Sequence, residues 1–380
     1  MLFLYIIVST VCIVSSRYTT PFNAAQSLLW AIANPESMRA ASSSALSQSQ
    51  RAYVESKIEE CYRRDNESYA LLSEKFKGRI VHCQIPAFPR CDVYLCGTLH
   101  VAKRSSEMVN ETITALQPHY TVVELCDERR DAILIAAAGE EEEVLTLRGI
   151  VRTAMEDKSF LSFGTGLLAW MQQKASRVSD SRLGNELYVA AKVSYQVPSV
   201  VVLGDRLYPV TMQRCLERLN FVEKTKFVAM LLFEVFSMTA RSIKDYIRKS
   251  EGDEDFLLQQ MESFERHLPR FAEVIIHERD EYLAQTVYEL ARNGFRNYEY
   301  SASGVPFRGK IVVVVGAAHL RGIQKWLARN GTTQQRMLEI SRTNKDPRAT
   351  WPGTGRYCDA RVDEIFYDPR TQPPSRKRFI

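Results

Sequence analysis

A chain of 380 residues with 45% hydrophobic and 25% charged residues is long enough to bury a sizeable core, as one large domain or two smaller ones. The net charge of +5 is small for this length, the basic residues are dispersed until the final few positions, and no nucleic-acid-binding signature appears, so no nucleic-acid partner is expected. The eight cysteines form no Cys-x-x-Cys pair and several lie inside apolar runs, the usage of a reduced intracellular set rather than a disulfide scaffold.

Leu2 to Val14 is almost wholly apolar, with no Lys or Arg before it. It is short for a spanning helix and fits a signal-peptide core or a short anchor. From Arg17 to Val54 the chain turns serine- and alanine-rich with Glu36 as its one acid, the composition of an organelle transit segment. Residues 1–50 are therefore set apart as an address or an anchor with a stalk. They predict membrane association through the N-terminus. The cysteine-in-strand pattern favours the mitochondrion (outer membrane) over the secretory or endomembrane system.

Residues 51–76 read as a helix carrying Val54, Ile58, Tyr62 and Leu71-Leu72. Arg79 to Ile85 and Asp92 to Cys96 read as two strands, with Pro86 to Arg90 turning the chain over as a hairpin. Gly97-Thr98-Leu99-His100 follows the second strand. Ser105-Ser106-Glu107 then predicts the cap of a helix with Met108, Val109, Ile113 and Leu116, ended by Pro118. Tyr120 to Val123 is a strand that leads into Glu124-Leu125-Cys126. Asp127 to Ala138 is helical in character, and Glu140 to Glu143 suits a solvated loop or a helix start. Residues 145–197 read as mostly helical, with Gly184-Asn185-Glu186 opening a helix that stops at Pro198. Ser199 to Leu203 is a strand running into Gly204-Asp205-Arg206. Residues 208–292 are again helix-rich. Their most apolar part, Phe227 to Met238, contains Glu234 and reads as a buried core helix rather than a membrane span. A highly charged stretch over 241–266 follows, with a break near Glu251 to Asp255. Arg279-Asp280-Glu281 leads into a helix with Leu283, Val287 and Leu290. After a polar loop, Ile311 to Val315 is a strand ending in Gly316-Ala317-Ala318-His319, followed by a helix with Ile323, Trp326 and Leu327. Beyond Arg342 no period is sustained.

Strand, Gly-x-x-His, helix thus occurs twice. The resulting fold class is α/β: a central, mainly parallel or mixed β-sheet with flanking helices and a large helical insertion at about 145–266. The domain spans 51–340 with its core at 78–330, and 341–380 form an irregular extension. In an open α/β sheet, residues at the carboxyl ends of the strands face the crevice where ligands bind. If the four strands are parallel neighbours, His100, Glu124, Asp205 and His319 share one edge. Imidazole with carboxylate suits a first-row divalent ion such as zinc or manganese. The plainer reading of each residue alone is a turn former or hydrogen-bonded spacer. Arg206 and Arg279 adjoin acidic residues and suit either an oxyanion or, more simply, pairing with Asp205 and Glu278. Glu186 can also serve only the helix dipole. His277 reads as a packing or surface residue, and His82, His119 and His267 carry no pattern.

These residues resemble the TraB family (TraB/PrgY), whose relatives include the Tiki proteins that clip Wnt ligands. The resemblance is carried by Gly97 to His100, Pro118 through Val122-Val123-Glu124-Leu125-Cys126 to Arg129, Gly184-x-Glu186 and Val202 to Arg206. It continues through His277-Glu278-Arg279-Asp280-x-Tyr282-Leu283-Ala284 and Val315 to Ile323. It implies a peptidase-type metal-dependent hydrolase acting on a peptide or protein, with a manganese- or cobalt-like ion, beside the zinc or manganese that the donor types suit. His100 and His319 would be ligands, and Glu124 or Glu186 a further ligand or the general base. Other relatives imply the alternative, a non-catalytic, membrane-associated regulator or contact-site protein on the same fold.

Overall fold

A computed structural model describes residues 48–100, 102–126, 129, 145–157, 160–179, 184–197, 199–252, 254–295 and 308–344. The expected N-terminal address, the helix over 127–138, the acidic run after it, and the extension past 344 lie outside these residues. Helix α1 (Gln48–Lys75) leads into strands β1 (Ile80–Ile85) and β2 (Phe88–Thr98), which pair antiparallel as the expected hairpin. Strand β3 (Tyr120–Val123), β4 (Val200–Leu203) and β5 (Gly309–Gly316) complete a five-stranded sheet of order β1-β2-β5-β3-β4. All pairings except the first are parallel. The last strand in sequence therefore lies in the middle of the sheet, between β2 and β3.

Its β-branched run explains that place. Ile311 to Val315 is entirely buried, as a strand covered on both faces must be. Side chains alternate between two cores. Val93, Leu95, Val122, Ile311, Val313 and Val315 pack with Tyr282, Leu283 and Val287 of helix α11 (Glu278–Glu289), Ile323 and Leu327 of α12 (Leu320–Ala328), and Met337 and Ile340 of α13 (Gln334–Ser341). Tyr94, Cys96, Val312 and Val314 pack on the other face with Leu72 of α1, with Met108, Val109 and Ile113 of α2 (Lys103–Leu116), and with Leu187 and Val193 of α5 (Asn185–Gln196).

A third core holds the helical insertion: α3 (Leu147–Asp157), α4 (Phe160–Ser179), α6 (Tyr208–Arg218), α7 (Phe221–Ser237), α8 (Ala240–Gly252) and α9 (Glu254–His267). Helix α10 (Pro269–Ala272) joins this core to α11 through one π-helical turn, Glu273–His277. Such wide turns frequently mark functional sites, because they re-aim the side chains that follow. Here the three that follow are Glu278, Arg279 and Asp280, all buried.

Three local expectations are corrected. Helix α2 starts at Lys103 with Ala102 at the cap position, and Ser105 instead ties down the histidine loop, accepting from Leu99 N at 2.8 Å and donating to Leu99 O at 3.0 Å. Phe227 to Met238 is not a fully buried helix: α7 buries one face and exposes Leu232, Phe233 and Phe236 on the other. Helix α13, capped by Thr333, extends the packed structure past 330. Among the described residues no helix is long and apolar enough to cross a membrane, and six cysteines carry no disulfide.

Candidate functional site

The parallel pairing of β2, β5, β3 and β4 brings the ends of four strands to one edge, and with them His100, His319, Glu124 and Asp205. Each is at most 4% exposed. His100 follows β2 and turns its Nδ1 to Glu186 Oε1 at 2.5 Å. Glu186 lies in the first turn of α5, whose entry at Gly184 has φ 71°, a conformation that glycine adopts without steric cost. His319 ends a short 3-10 turn after β5 and turns its Nδ1 to Asp280 Oδ1 at 2.6 Å. Its Nε2 is 3.3 Å from Glu124 Oε1. Glu124 Oε2 accepts the Gly316 backbone N–H at 2.6 Å.

Gly316 shows how tightly the two halves meet. A Cβ there would stand 3.1 Å from His100 Nε2 and 3.4 Å from Glu124 Oε2. Gly316 thus lets the His100 Nε2 edge and the Glu124 carboxylate approach from one side, while His319 Nε2 reaches Glu124 from the other. Gly322 works similarly, since a Cβ there would lie 1.9 Å from Asp280 Oδ2, the carboxylate that holds His319.

Around this gap the arginines exchange partners between two adjacent pairs. Arg279 grips Asp205 with two bonds, Nε to Oδ1 at 3.1 Å and Nη2 to Oδ2 at 2.8 Å, and also contacts Glu124 Oε1. Its Nη1 is 3.3 Å from His319 Nε2. Arg206, beside Asp205 in sequence, instead meets Glu278 Oε2 at 2.6 Å and donates to the carbonyls of Ile340 and Val274. Arg214 adds two bonds to Glu278, at 2.6 and 2.8 Å. Arg206 therefore clamps the scaffold without touching either histidine, whereas Arg279 lies within the site. Asp205 accepts from Arg279 and from Arg206 N at 2.8 Å, with Arg129 Nη1 3.6 Å away, so its oxygens serve arginines. Asp280, Arg129 and Arg214 carried no role in the sequence reading.

Charge follows geometry. Burial opposes ionisation of Glu124, but the neighbouring His319 and Arg279 charges prevail and hold it well below the usual carboxylate range. Burial likewise opposes protonation of His319, yet Glu124 and Asp280 raise it to about 9. Burial raises the Asp280 carboxyl despite its bond to His319. Four buried carboxylates (Glu124, Glu186, Asp205, Asp280) face two buried guanidinium groups (Arg129, Arg279), a formal −1 with His319 protonated, as its raised pKa favours at neutral pH, and a formal −2 once both imidazoles are neutral. Among the described residues no group of three or more His, Cys, Asp or Glu side chains is placed as an ion-holding set.

The remaining histidines are structural. His82 Nε2 meets Asp92 at 2.9 Å and its ring stacks on Tyr94; His119 Nδ1 accepts from Lys310 N at 3.1 Å, and burial lowers it to about 4. His277 is half-exposed beside Glu265, and His267 turns back to Ser263 O in its own helix.

A mixed, largely parallel α/β sheet with a charged, buried constellation at its carboxyl edge and a large helical insertion defines the class of protein. The sequence profile of the TraB/PrgY/gumN family matches residues 87–335, and the chain belongs to that family. An uncharacterized protein of Methanocaldococcus jannaschii is 29% identical over 245 residues, 62% of this chain and 53% of that protein. The TraB domain-containing proteins of mouse and human are each 29% identical, over 260 and 258 residues, 65% of this chain and 65% of each relative. The match thus spans between about half and two thirds of these relatives' length.

Proposed function

We propose that the chain is a metal-dependent hydrolase of the peptidase type, with a divalent manganese-, cobalt- or zinc-like ion held by His100, His319 and Glu124. One observation carries this reading: each histidine commits Nδ1 to its own buried carboxylate, Glu186 or Asp280, and turns Nε2 towards Glu124. Metal-bound histidines are oriented in this way, since the second ring nitrogen is fixed by a carboxylate or carbonyl partner. The nitrogen and oxygen donors suit such ions, and one divalent charge would offset the formal −2 that the cluster carries with both imidazoles neutral. Glu186 and Asp280 are positioning residues in this scheme, and Asp205 fixes Arg279.

When bound, the ion supplies an acidified water and polarises a carbonyl. The chain supplies the rest. Glu124 stays ionised and can serve as ligand or proton acceptor. Arg279, held in place by Asp205, presents a guanidinium where a carbonyl oxygen would gain charge. Its contact with His319 Nε2 must open to admit an ion. The substrate would be a peptide or protein segment. With the histidines and Glu124 at most 4% exposed, it reaches them only when the covering elements part.

The same burial favours a second reading, a non-catalytic, membrane-associated regulator or partner-binding protein in which Arg279 permanently fills the site. Metal content of the purified full chain separates the two. The enzyme reading expects bound metal, lost in His100→Ala and His319→Ala with little change in the metal-free melting midpoint, and a double variant little worse than either single one. Chelator-sensitive cleavage of a peptide library should disappear with it. Wild-type chain that binds no manganese, cobalt or zinc would leave the regulator reading standing.

We further propose that residues 1–50 direct the chain to a membrane-bounded compartment, the mitochondrial outer membrane before the secretory system, because their apolar core and acid-poor sequel resemble an address. A reporter fused behind residues 1–55 should leave the cytosol, and diffuse signal would refute this.

A further inference from the structure

Helix α7 has two apolar faces. Phe227, Leu231 and Val235 enter the core of the helical lobe. The opposite face presents Phe221 (80% exposed), Val222 (57%), Leu232 (37%), Phe233 (59%) and Phe236 (82%). Thr225, Lys226 and Ala229 complete it, while the acids of this helix, Glu223 and Glu234, are buried. A surface helix ordinarily turns charged residues to water, and one that is apolar all round is covered on both sides. Taking a fully exposed aromatic side chain as about 200 Å², these five side chains present roughly 600 Å² of apolar surface, at the upper end of what monomers leave open.

The order of residues along this face points to what covers it. About Ala229 the pattern nearly mirrors itself: Val222 lies seven positions before it and Phe236 seven after, Thr225 and Phe233 four, Lys226 and Leu232 three. We propose that a second copy of this chain packs here, α7 antiparallel on α7 about a two-fold axis at Ala229. Val222 then meets the partner's Phe236, and Thr225 the partner's Phe233. The aliphatic stem of Lys226 lies on the partner's Leu232. A small residue at the axis lets the two helices approach closely. The two Lys226 residues are six helical positions apart, about 9 Å along the axis, so their repulsion is largely screened at physiological salt. Two such faces remove about 1,200 Å² from water, the lower limit for a specific pair of proteins, which makes the dimer reversible.

The register makes the test sharp. In the full chain carrying Cys61→Ser, with that parent alongside to show cross-linking by its native cysteines, Ala229→Cys should form a cross-linked dimer on mild oxidation. Thr225→Cys alone should not, but mixed with Phe233→Cys it should. Phe236→Asp should weaken association at least tenfold in a concentration series read by sedimentation. Ala229→Cys that cross-links no better than the parent overturns the proposal. So does chain that stays monomeric at 100 times its working concentration yet sediments with anionic vesicles through Phe233 and Phe236, which would assign this face to a bilayer.

Discussion

Replacing Gly316 with alanine asks whether the space between His100 and Glu124 is there for a ligand. Gly316 has φ −58° and ψ 142°, which any L-residue accepts, so the backbone takes alanine without strain. The new methyl would stand 3.1 Å from His100 Nε2, closer than an ordinary contact by a few tenths of an ångström, and 3.4 Å from Glu124 Oε2, at the edge of ordinary contact. Overpacking of this kind costs about 1–3 kcal/mol, and the stiffer unfolded chain returns about 0.4–1 kcal/mol. The metal-free protein should thus lose no more than about 2.5 kcal/mol and remain folded. The effect on a ligand is far larger. An ion must come within roughly 2.0–2.2 Å of its nitrogen and oxygen donors, and a carbon wedged between them leaves no room for it. We expect Gly316→Ala to lower manganese, cobalt or zinc affinity by at least 100-fold, read by titration calorimetry and by loss of metal-induced thermal stabilisation. Wild-type metal affinity in this variant would refute the reasoning, since the ion would then have to lie elsewhere.

Arg279→Met should destabilise the fold by about 3–5 kcal/mol in urea unfolding, because it strands Asp205 and Glu124 as buried charges, and adding Asp205→Asn should recover part of the loss. Glu278→Gln should cost a similar amount by leaving Arg206 and Arg214 poorly paired, with no direct effect on a ligand at the histidines. Glu234 is buried, its Oε1 has no partner among the described residues, and burial raises its carboxyl to about 7 from 4.5. The folded state therefore holds its proton more tightly than the unfolded chain, and stability present below pH 4.5 is lost as pH rises through about 7. Glu234→Gln should be neutral at pH 4 and stabilising by about 1–2 kcal/mol at pH 8; equal melting midpoints for variant and parent at pH 8 would show that the carboxylate is solvated.

The parts of this architecture that were legible in the sequence are those whose physics is local. Val312 to Val315 reads as a buried strand because β-branched residues without an intervening charge suit a sheet covered on both faces, and Gly316 ends it. His100, Glu124, Asp205 and His319 could be grouped from strand ends alone, because parallel strands share a carboxyl edge. The strand order could not, since it depends on β5 crossing back between β2 and β3, a choice made by packing over more than 180 residues. That Arg206 and Arg279 pair with Asp205 and Glu278 was legible, but which arginine takes which acid was not. Neighbours in sequence, Asp205-Arg206 and Glu278-Arg279, suggest local pairs, but side chains of adjacent residues diverge, and each arginine finds the acid of the other segment. Asp280 was hidden inside an amphipathic pattern, where an acid normally faces water. Ser105 has the residue type and the place of a helix cap, whereas its hydroxyl serves the buried backbone of Leu99, whose N–H it accepts.

The central position of β5 also fixes when the molecule can come into being. While the chain is being made, β2 and β3 must wait for their common neighbour through the 185 residues between Val123 and Gly309. At about 5–20 residues per second this is roughly 10–40 s, during which two apolar strand edges stand open to misassociation. The constellation also cannot assemble early, because His319 and the Gly316 N–H that meet Glu124 are contributed by the strand that arrives last. A truncated product ending before residue 309 would carry His100, Glu124 and Asp205 and still possess no site.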